Sequence, residues 1–287
     1  MTATDNNDAV TGLYYYPVKS LSGIRLQEAE LTPFGIRHDR MWMLTRESGR
    51  FITQREEHRL ALLKVMADDS GFVIRAPDGS ATFLPVKAKS GDPVRVSVWK
   101  DELDATTGPD DAARFFSNYL GYRCVPVSMP ENAGRMAREF APDGTPLSFA
   151  DAYPGLLTTE TSLGDLNERT SVEIEMRRFR PNIVASGSSP FIEDTWARLR
   201  IGQAEIALVK PCARCVLTTV DPDSGTSGKE PLKTLARYRR IQGDVFFGQN
   251  FVVSKAGMVR VGDEIEVLES KDPLFETAGL SPFRVGG

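Results

Sequence analysis

Cysteine and histidine are scarce in this chain: its 287 residues carry three of the first and two of the second. Three cysteines, an odd number, make no disulfide framework for a chain of this size, so a reducing cytoplasm is the expected location. A structural zinc or an iron–sulfur cluster takes about four ligands. Beyond Cys212 and Cys215 the chain offers only Cys124, His38 and His58, none of them in a paired spacing. No apolar run is long enough to span a bilayer. The opening "MTATDNNDAV" lacks the basic and apolar parts of a signal peptide. No membrane association is expected. An excess of positive charge is missing too: 35 Lys and Arg stand against 39 Asp and Glu, and the basic residues are scattered. That pattern argues against a nucleic-acid partner. Nor does any Gly-rich turn follow a strand pattern, which leaves no flavin or nicotinamide site in view.

What is there reads as a soluble globular protein, with 41% hydrophobic and 26% charged residues. A chain of this length forms one large domain or two ordinary ones. Short strand patterns, "MWMLT", "GFVIRAPDGSATFLPV" and "DPVRVSVW", fill the first third, with "PDG" at 77–79 as hairpin turn chemistry. "DDAARFFSNYLG" reads as a helix capped by Asp110 and stopped by Gly121, with Phe115, Phe116, Tyr119 and Leu120 on its apolar face. The Pro- and Gly-rich stretch 128–148 reads as a long connection and marks the expected boundary. Past it come a helix in "TETSLGDLNER" with Ser162 and Asp165 at capping-box spacing, a β-rich stretch over 172–220 and a helix in "EPLKTLARYRR". Strands in "NFVVS", "GMVRVGD" and "EIEVLE" follow. Strands and helices do not alternate regularly, so the expected class is a β-rich α+β fold. The expected divisions are 10–127, 128–270 and a C-terminal tail over 271–287.

The stretch "KPCARCVLTTVDPDSG", 210–225, concentrates the chemistry. Cys212 and Cys215 have the spacing of a redox pair, but the β-branched run "VLTTV" argues for a strand where such a pair sits at a helix N-terminus. Two buried core thiols are the plain alternative. Against that, Lys210 and Arg214 flank the pair, and an electropositive cysteine facing a cleft is a soft-metal ligand candidate. A strand beginning at Cys215 would put Cys215 and Leu217 on one face and Arg214 on the other, with Cys212 in the turn after Pro211. The two sulfurs are then inequivalent. Cys124 reads as a core thiol, and His38 and His58 as structural or exposed. In "FRPNI", Pro181 is expected to hold Arg180 extended, so that Arg180 and Asn182 share a face. Asp221 and Asp223 read by default as turn formers ahead of Gly225. Asp221 is kept as a candidate proton donor.

"YYPVKSLSG", "HDRMWMLT", "SFADAYP", "FRPNIV", "PCARCVLTTVDPDSG" and "FFGQNFVV" occur in this order. Together they resemble the MOSC family (molybdenum cofactor sulfurase C-terminal domain). The similarity is to its two-part form with a MOSC N-terminal β-barrel domain, which includes YcbX-type proteins and the mitochondrial amidoxime-reducing component. The resemblance implies a β-barrel-type core and a molybdenum–molybdopterin cofactor. It makes Cys215 the metal's protein ligand. Lys19, Ser20, Arg40, Arg180, Asn182, Ala213 and Arg214 become holders of the pterin and its phosphate, with Asp151 close by. Asn250 falls where mitochondrial members carry a tyrosine.

The activity so implied is reduction of N-hydroxylated small molecules (amidoximes, hydroxylamines, N-hydroxylated bases) to amines. Electrons are expected from a separate ferredoxin-, flavodoxin- or cytochrome-type protein with its reductase. The chain ends soon after the MOSC-like region, without the ferredoxin domain of YcbX-type proteins. Two further alternatives stay open. One is a non-catalytic carrier of the cofactor or of a persulfide on Cys215; the other is a thiol oxidoreductase using both cysteines.

Overall fold

A central strand of twelve residues, Asp244–Lys255, organises the molecule. Its sequence, "DVFFGQNFVVSK", is rich in β-branched and aromatic residues and is buried over most of its length, as a strand covered on both faces must be. It lies between Ala204–Ala213 and Gly155–Thr159 in a nine-stranded sheet, antiparallel to both. The computed structural model describes residues 8–88, 91–130, 134–137, 139–273 and 275. Gly248 sits in the strand with φ at 76°, and a side chain there would meet Thr158 Cγ2 at 2.7 Å. Only glycine lets the neighbouring strand come so near.

On one side the sheet continues through Trp196–Ile201 to Ile265–Ser270. On the other it passes from Gly155–Thr159 to Ile183–Ala185, a parallel pair bridged by the helix Glu160–Arg169. It ends with Val10–Tyr15 and Ile24–Leu26. The sheet therefore draws strands from both ends of the chain. A second sheet joins Trp42–Arg46, Cys124–Ser128, Asp101–Thr107 and Pro93–Val98. The hairpin expected at 77–79 joins Gly71–Arg75 to Ala81–Pro85. The β-rich α+β class expected from the sequence holds.

Local expectations differ in instructive ways. The helix Asp110–Leu120 buries Ala112, Phe116 and Leu120 and ends at left-handed Gly121, but Pro109 occupies its cap position, leaving Asp110 in the first turn. Thr159, not Ser162, caps Glu160–Arg169 by accepting the Ser162 N–H. The "EPLKTLARYRR" helix shrinks to Leu232–Leu235. Cys124 is buried in its strand, and burial pushes its thiol up to about 11. The expected tail begins inside the fold: Lys271 N–H donates to Thr195 O at 2.7 Å and Phe275 is buried. Residues 274 and 276–287 lie outside the described residues.

Behind the central strand, buried Asp194 accepts from Arg239 at 2.7 Å and from Gln249 at 2.6 Å. Next to it, fully buried Glu193 accepts from the Thr159 and Ser162 hydroxyls at 2.9 Å each. Burial, reinforced by the Asp194 charge, pushes the Glu193 carboxyl from 4.5 up to about 7. The unfolded chain sheds this proton near 4.5, the folded chain only near 7, so stability falls as pH rises between them. Chemical denaturation at a series of pH values should show a loss of about 2–3 kcal/mol across that window. Glu193→Gln should flatten the slope.

Candidate active site

Two loops zipped together build the floor of a cleft. Where Val10–Tyr15 ends, Tyr16 N–H donates to Asp39 Oδ1 at 2.7 Å, and Arg40 N–H returns to Tyr16 O at 2.8 Å. Lys19 N–H donates to Trp42 O at 2.8 Å. This pairing sets Lys19, Ser20 and Arg40 side by side. Ser20 and Arg40 adopt left-handed backbones, φ 70° and 50°, a conformation non-glycine residues avoid and that concentrates at functional sites. Arg180, across the cleft, does the same at 55°. That corrects the extended geometry expected ahead of Pro181: the turn Met176–Arg178 brings Arg180 N–H onto Arg177 O at 3.2 Å and reverses the chain. Arg180 and Asn182 still line one cleft, but through a turn and not through strand alternation.

Asn182 is a buried pin. Its side-chain oxygen accepts from Leu156 N–H at 3.2 Å and Arg40 Nη1 at 3.1 Å, and its Nδ2 donates to Tyr14 O at 3.2 Å. The ring of Tyr16 faces both Arg40, at 4.5 Å, and Arg180, at 4.2 Å. Arg40 also pairs with Asp39. Arg180 donates to Leu21 O at 2.6 Å and has no carboxylate ion pair among the described residues. Its burial lowers it to about 10.

The 210–218 segment supplies the sulfurs. Ala204–Ala213 runs on through Cys212, which therefore lies in the strand and not in a turn after Pro211. Pro211 cannot donate to the ladder, and the register slips on either side of it. Cys215 then caps a single 3-10 turn, Val216–Thr219, where a strand was expected. The reason is local: the Thr218 and Thr219 hydroxyls donate to Cys215 O at 3.0 Å and Val216 O at 2.7 Å. Such back-bonding offers threonine an alternative to the strand its branching favours. All three cysteines are free.

The sulfurs are inequivalent, as expected. Arg214 Nη1 donates to Cys212 Sγ at 2.9 Å while its Nη2 donates to Phe179 O at 2.6 Å. Cys215 Sγ instead accepts from Arg55 Nε at 3.2 Å. Arg55 is held in turn by Asp151 Oδ2 at 2.8 Å and by the face of Trp99 at 4.7 Å. Asp151 also accepts from Lys19 and, at 3.2 Å, from the Trp99 indole. Desolvation pushes the Asp151 carboxyl up only weakly, since its side chain is 46% exposed, and the Lys19 and Arg55 charges hold it well below the usual range. Burial lowers Lys19 to about 8, against the pull of Asp151.

Arg55, Trp99 and Arg135 carry none of the sequence motifs. Arg135, buried in the stretch that reads as a loose connection, donates to the carbonyls of Ser148, Ala150 and Asp151 and so fixes the loop that presents Asp151. No spacing could have revealed them. Asp221 is not brought to the cleft. One of its oxygens accepts from the Asp223 and Ser224 N–H groups at 3.0 and 2.8 Å, the other from Arg178 at 2.6 Å. These bonds, the Ser224 N–H first, hold its carboxyl ionised, which removes it as a proton donor and leaves it a turn former.

The cleft encloses about 270 Å³ and gathers Lys19, Ser20, Arg40, Asp151, Arg180, Asn182, Ala213, Arg214, Cys215 and Asn250. Among the described residues its cations are Lys19, Arg40, Arg55, Arg180, Lys210 and Arg214, and its only carboxylate is Asp151. Arg214 Nε is buried with no partner among the described residues. Such a donor set fits an anionic, phosphate-bearing group with a soft metal near the sulfur. Among the described residues no three of His, Cys, Asp and Glu gather to hold a metal by themselves.

Residues 7–123 match the MOSC N-terminal beta barrel domain and residues 144–266 the MOSC domain. The chain is 36% identical over 276 residues to human mitochondrial amidoxime reducing component 2, covering 89% of this chain and 82% of that protein. It is 37% identical over 278 residues to the rat protein of that name, with the same coverage. Against human mitochondrial amidoxime-reducing component 1 it is 35% identical over 279 residues, covering 90% of this chain and 82% of the relative. The cleft around Cys215 thus lies in a chain that belongs to the MOSC family, in the two-part form shared with the amidoxime reducing components.

Proposed function

We propose that this protein is a molybdenum-cofactor-dependent reductase of N-hydroxylated small molecules, supplied with electrons by a separate redox protein in the cytoplasm. The observation that carries this reading is Cys215 Sγ, held by the Asp151-bound Arg55, in a cleft that Cys212 also lines and that gathers six cations and one carboxylate among the described residues. Its relatives at 35–37% identity are amidoxime reducing components, which supports the same chemistry. When bound, the cofactor would supply its dithiolene sulfurs and a metal able to take oxygen from an N–OH group.

The chain's own part is orientation and charge. Arg40, Arg180 and Arg214 offer forked donors and Lys19 a point charge to the phosphate, with Ser20 and the Arg214 Nε beside them. Asn182 and Asn250 complete the wall. Arg55 Nε, aimed by Asp151 and Trp99, sets a positive charge against Cys215 Sγ, the sulfur that would hold the metal. Trp99, 48% exposed, covers Arg55, and Val216, 54% exposed, follows Cys215 in the chain. The net reaction breaks the N–O bond: R–NHOH with two electrons and two protons gives R–NH₂ and water.

Cys215→Ser replaces a soft ligand by a hard, poorly ionised one, so turnover should fall below about one hundredth while Cys212→Ser keeps most activity and metal. Equal loss in steady-state assays of both would favour the dithiol alternative. Arg214→Ala and Arg180→Ala should each lower pterin occupancy, since each deletes a charge-assisted contact worth about 1.5–3 kcal/mol. Fluorescence of the released, oxidised pterin measures this, and full occupancy in the double variant would contradict the assignment. Purified protein should reduce benzamidoxime with reduced viologen but not with NADPH alone, until a reductase and carrier are added. Full molybdenum content without viologen-driven turnover would instead favour the carrier alternative.

A further inference from the structure

A second cavity, also about 270 Å³, lies next to the cysteine cleft, and Arg180 and Leu217 line both. One side of it is cationic: Arg25, Lys64, Arg177, Arg178 and Arg180, with no Asp or Glu in the lining among the described residues. Three of these cations are neutralised from outside. Arg178 pairs with Asp221, and both Lys64 and Arg177 pair with Asp223, Arg177 also with Glu175. Arg25 and Arg180 have no carboxylate ion pair among the described residues; Arg25 donates only to Thr11 O, at 3.3 Å. The rest of the lining is largely hydrocarbon, from Ala61, Val65, Leu217, Val220 and Pro222, with the Tyr14 and Tyr16 rings.

Gln54 is the decisive residue. It is only 6% exposed and lines this cavity, yet its side-chain amide makes no hydrogen bond among the described residues. Its amide is therefore a free donor and acceptor at the cavity, available to a ligand. Its chain neighbour Arg55 lines the other cleft and reaches Cys215, so adjacent residues serve adjacent cavities.

We propose that this second cavity binds a compact organic oxyanion, its charged end held by Arg180, Arg25 and the Gln54 amide and its body packed on the apolar wall. Arginine forks suit carboxylates and phosphate monoesters alike. The volume falls just under the range of about 300–1,000 Å³ for small-molecule sites, which limits the ligand to about one ring and one acidic group. A bare ion would leave the apolar wall unused.

The inference is independent of turnover, because the lining includes neither cysteine. It is tested by calorimetric titration of cofactor-loaded protein at fixed ionic strength with phenyl phosphate, benzoate and inorganic phosphate. One equivalent of phenyl phosphate or benzoate should bind at least tenfold more tightly than inorganic phosphate, and the tighter of the two identifies the head group. Gln54→Leu and Arg25→Met should each weaken binding at least fivefold without lowering the melting temperature. No saturable binding, wild-type affinity in both variants, or binding only to cofactor-free protein, which places the probe in the cysteine cleft, would each overturn the proposal.

Discussion

Guanidinium groups taken out of water lose hydration and repel one another, and this fold holds Arg40, Arg180 and Arg214 around one cleft. Much of the surrounding structure is the means of holding them there. Asp39 neutralises Arg40 from beneath, and the same carboxylate pins the Tyr16 N–H. The Tyr16 ring offers its negative face to both Arg40 and Arg180, and Phe179 does the same for Arg214. Carbonyls take some of the other donors, Leu21 O for Arg180 and Phe179 O for Arg214, while Arg214 Nε has no partner among the described residues. The left-handed backbones at Ser20, Arg40 and Arg180 belong to the same expense, since unstrained loops would not aim these side chains inward. Positive charge is thus in place before any anion arrives, which is how preorganised sites reduce the cost of binding.

Neither half of the chain builds the cleft alone. Lys19, Arg40 and Arg55 precede the long connection, whereas Asp151, Arg180, Arg214 and Cys215 follow it. The ion pairs Lys19–Asp151 and Arg55–Asp151 cross between the halves, and so does the sheet, through Val10–Tyr15 on Ile183–Ala185. Arg135 anchors the arrangement from behind. Removing it would leave the carbonyls of Ser148, Ala150 and Asp151 without their shared donor, and the loop that aims Arg55 at the sulfur would lose its support.

Sequence pattern made the regular elements legible: the Phe116 and Leu120 face of the first helix, the hairpin around "PDG", and the "NFVVS" half of the central strand. It misled where a side chain bonds its own backbone. Thr218 and Thr219 count toward a strand by their branching, but their hydroxyls close a 3-10 turn. At Arg180 the rule for residues before proline describes an isolated chain, and packing against Tyr16 and Leu21 overrides it. Motif resemblance drew attention to Cys215, Lys19 and Arg214. Arg55 and Arg135 stayed hidden because a single arginine in a sequence is by default a solvated charge. Among the described residues their side-chain partners lie more than ten residues away in the chain.

The two sulfurs show how such contacts decide chemistry that spacing leaves open. Each has a guanidinium donor, so local charge does not separate them. The arginines differ in what restrains them. Arg214 is tied to Cys212 two residues away and to a neutral carbonyl, Phe179 O. Arg55 is tied to Asp151, which also gathers Lys19 and Trp99 and stays ionised below the usual carboxylate range because of the two cations beside it. The direction of Arg55 therefore persists over the physiological range, while Lys19, lowered to about 8 by burial, is the group whose charge changes first as pH rises. Cys215 is held in a field fixed by a network, and Cys212 in one set by a near neighbour. A metal ligand needs the first kind of environment, because the geometry of a soft thiolate must survive each change of charge on the metal it binds.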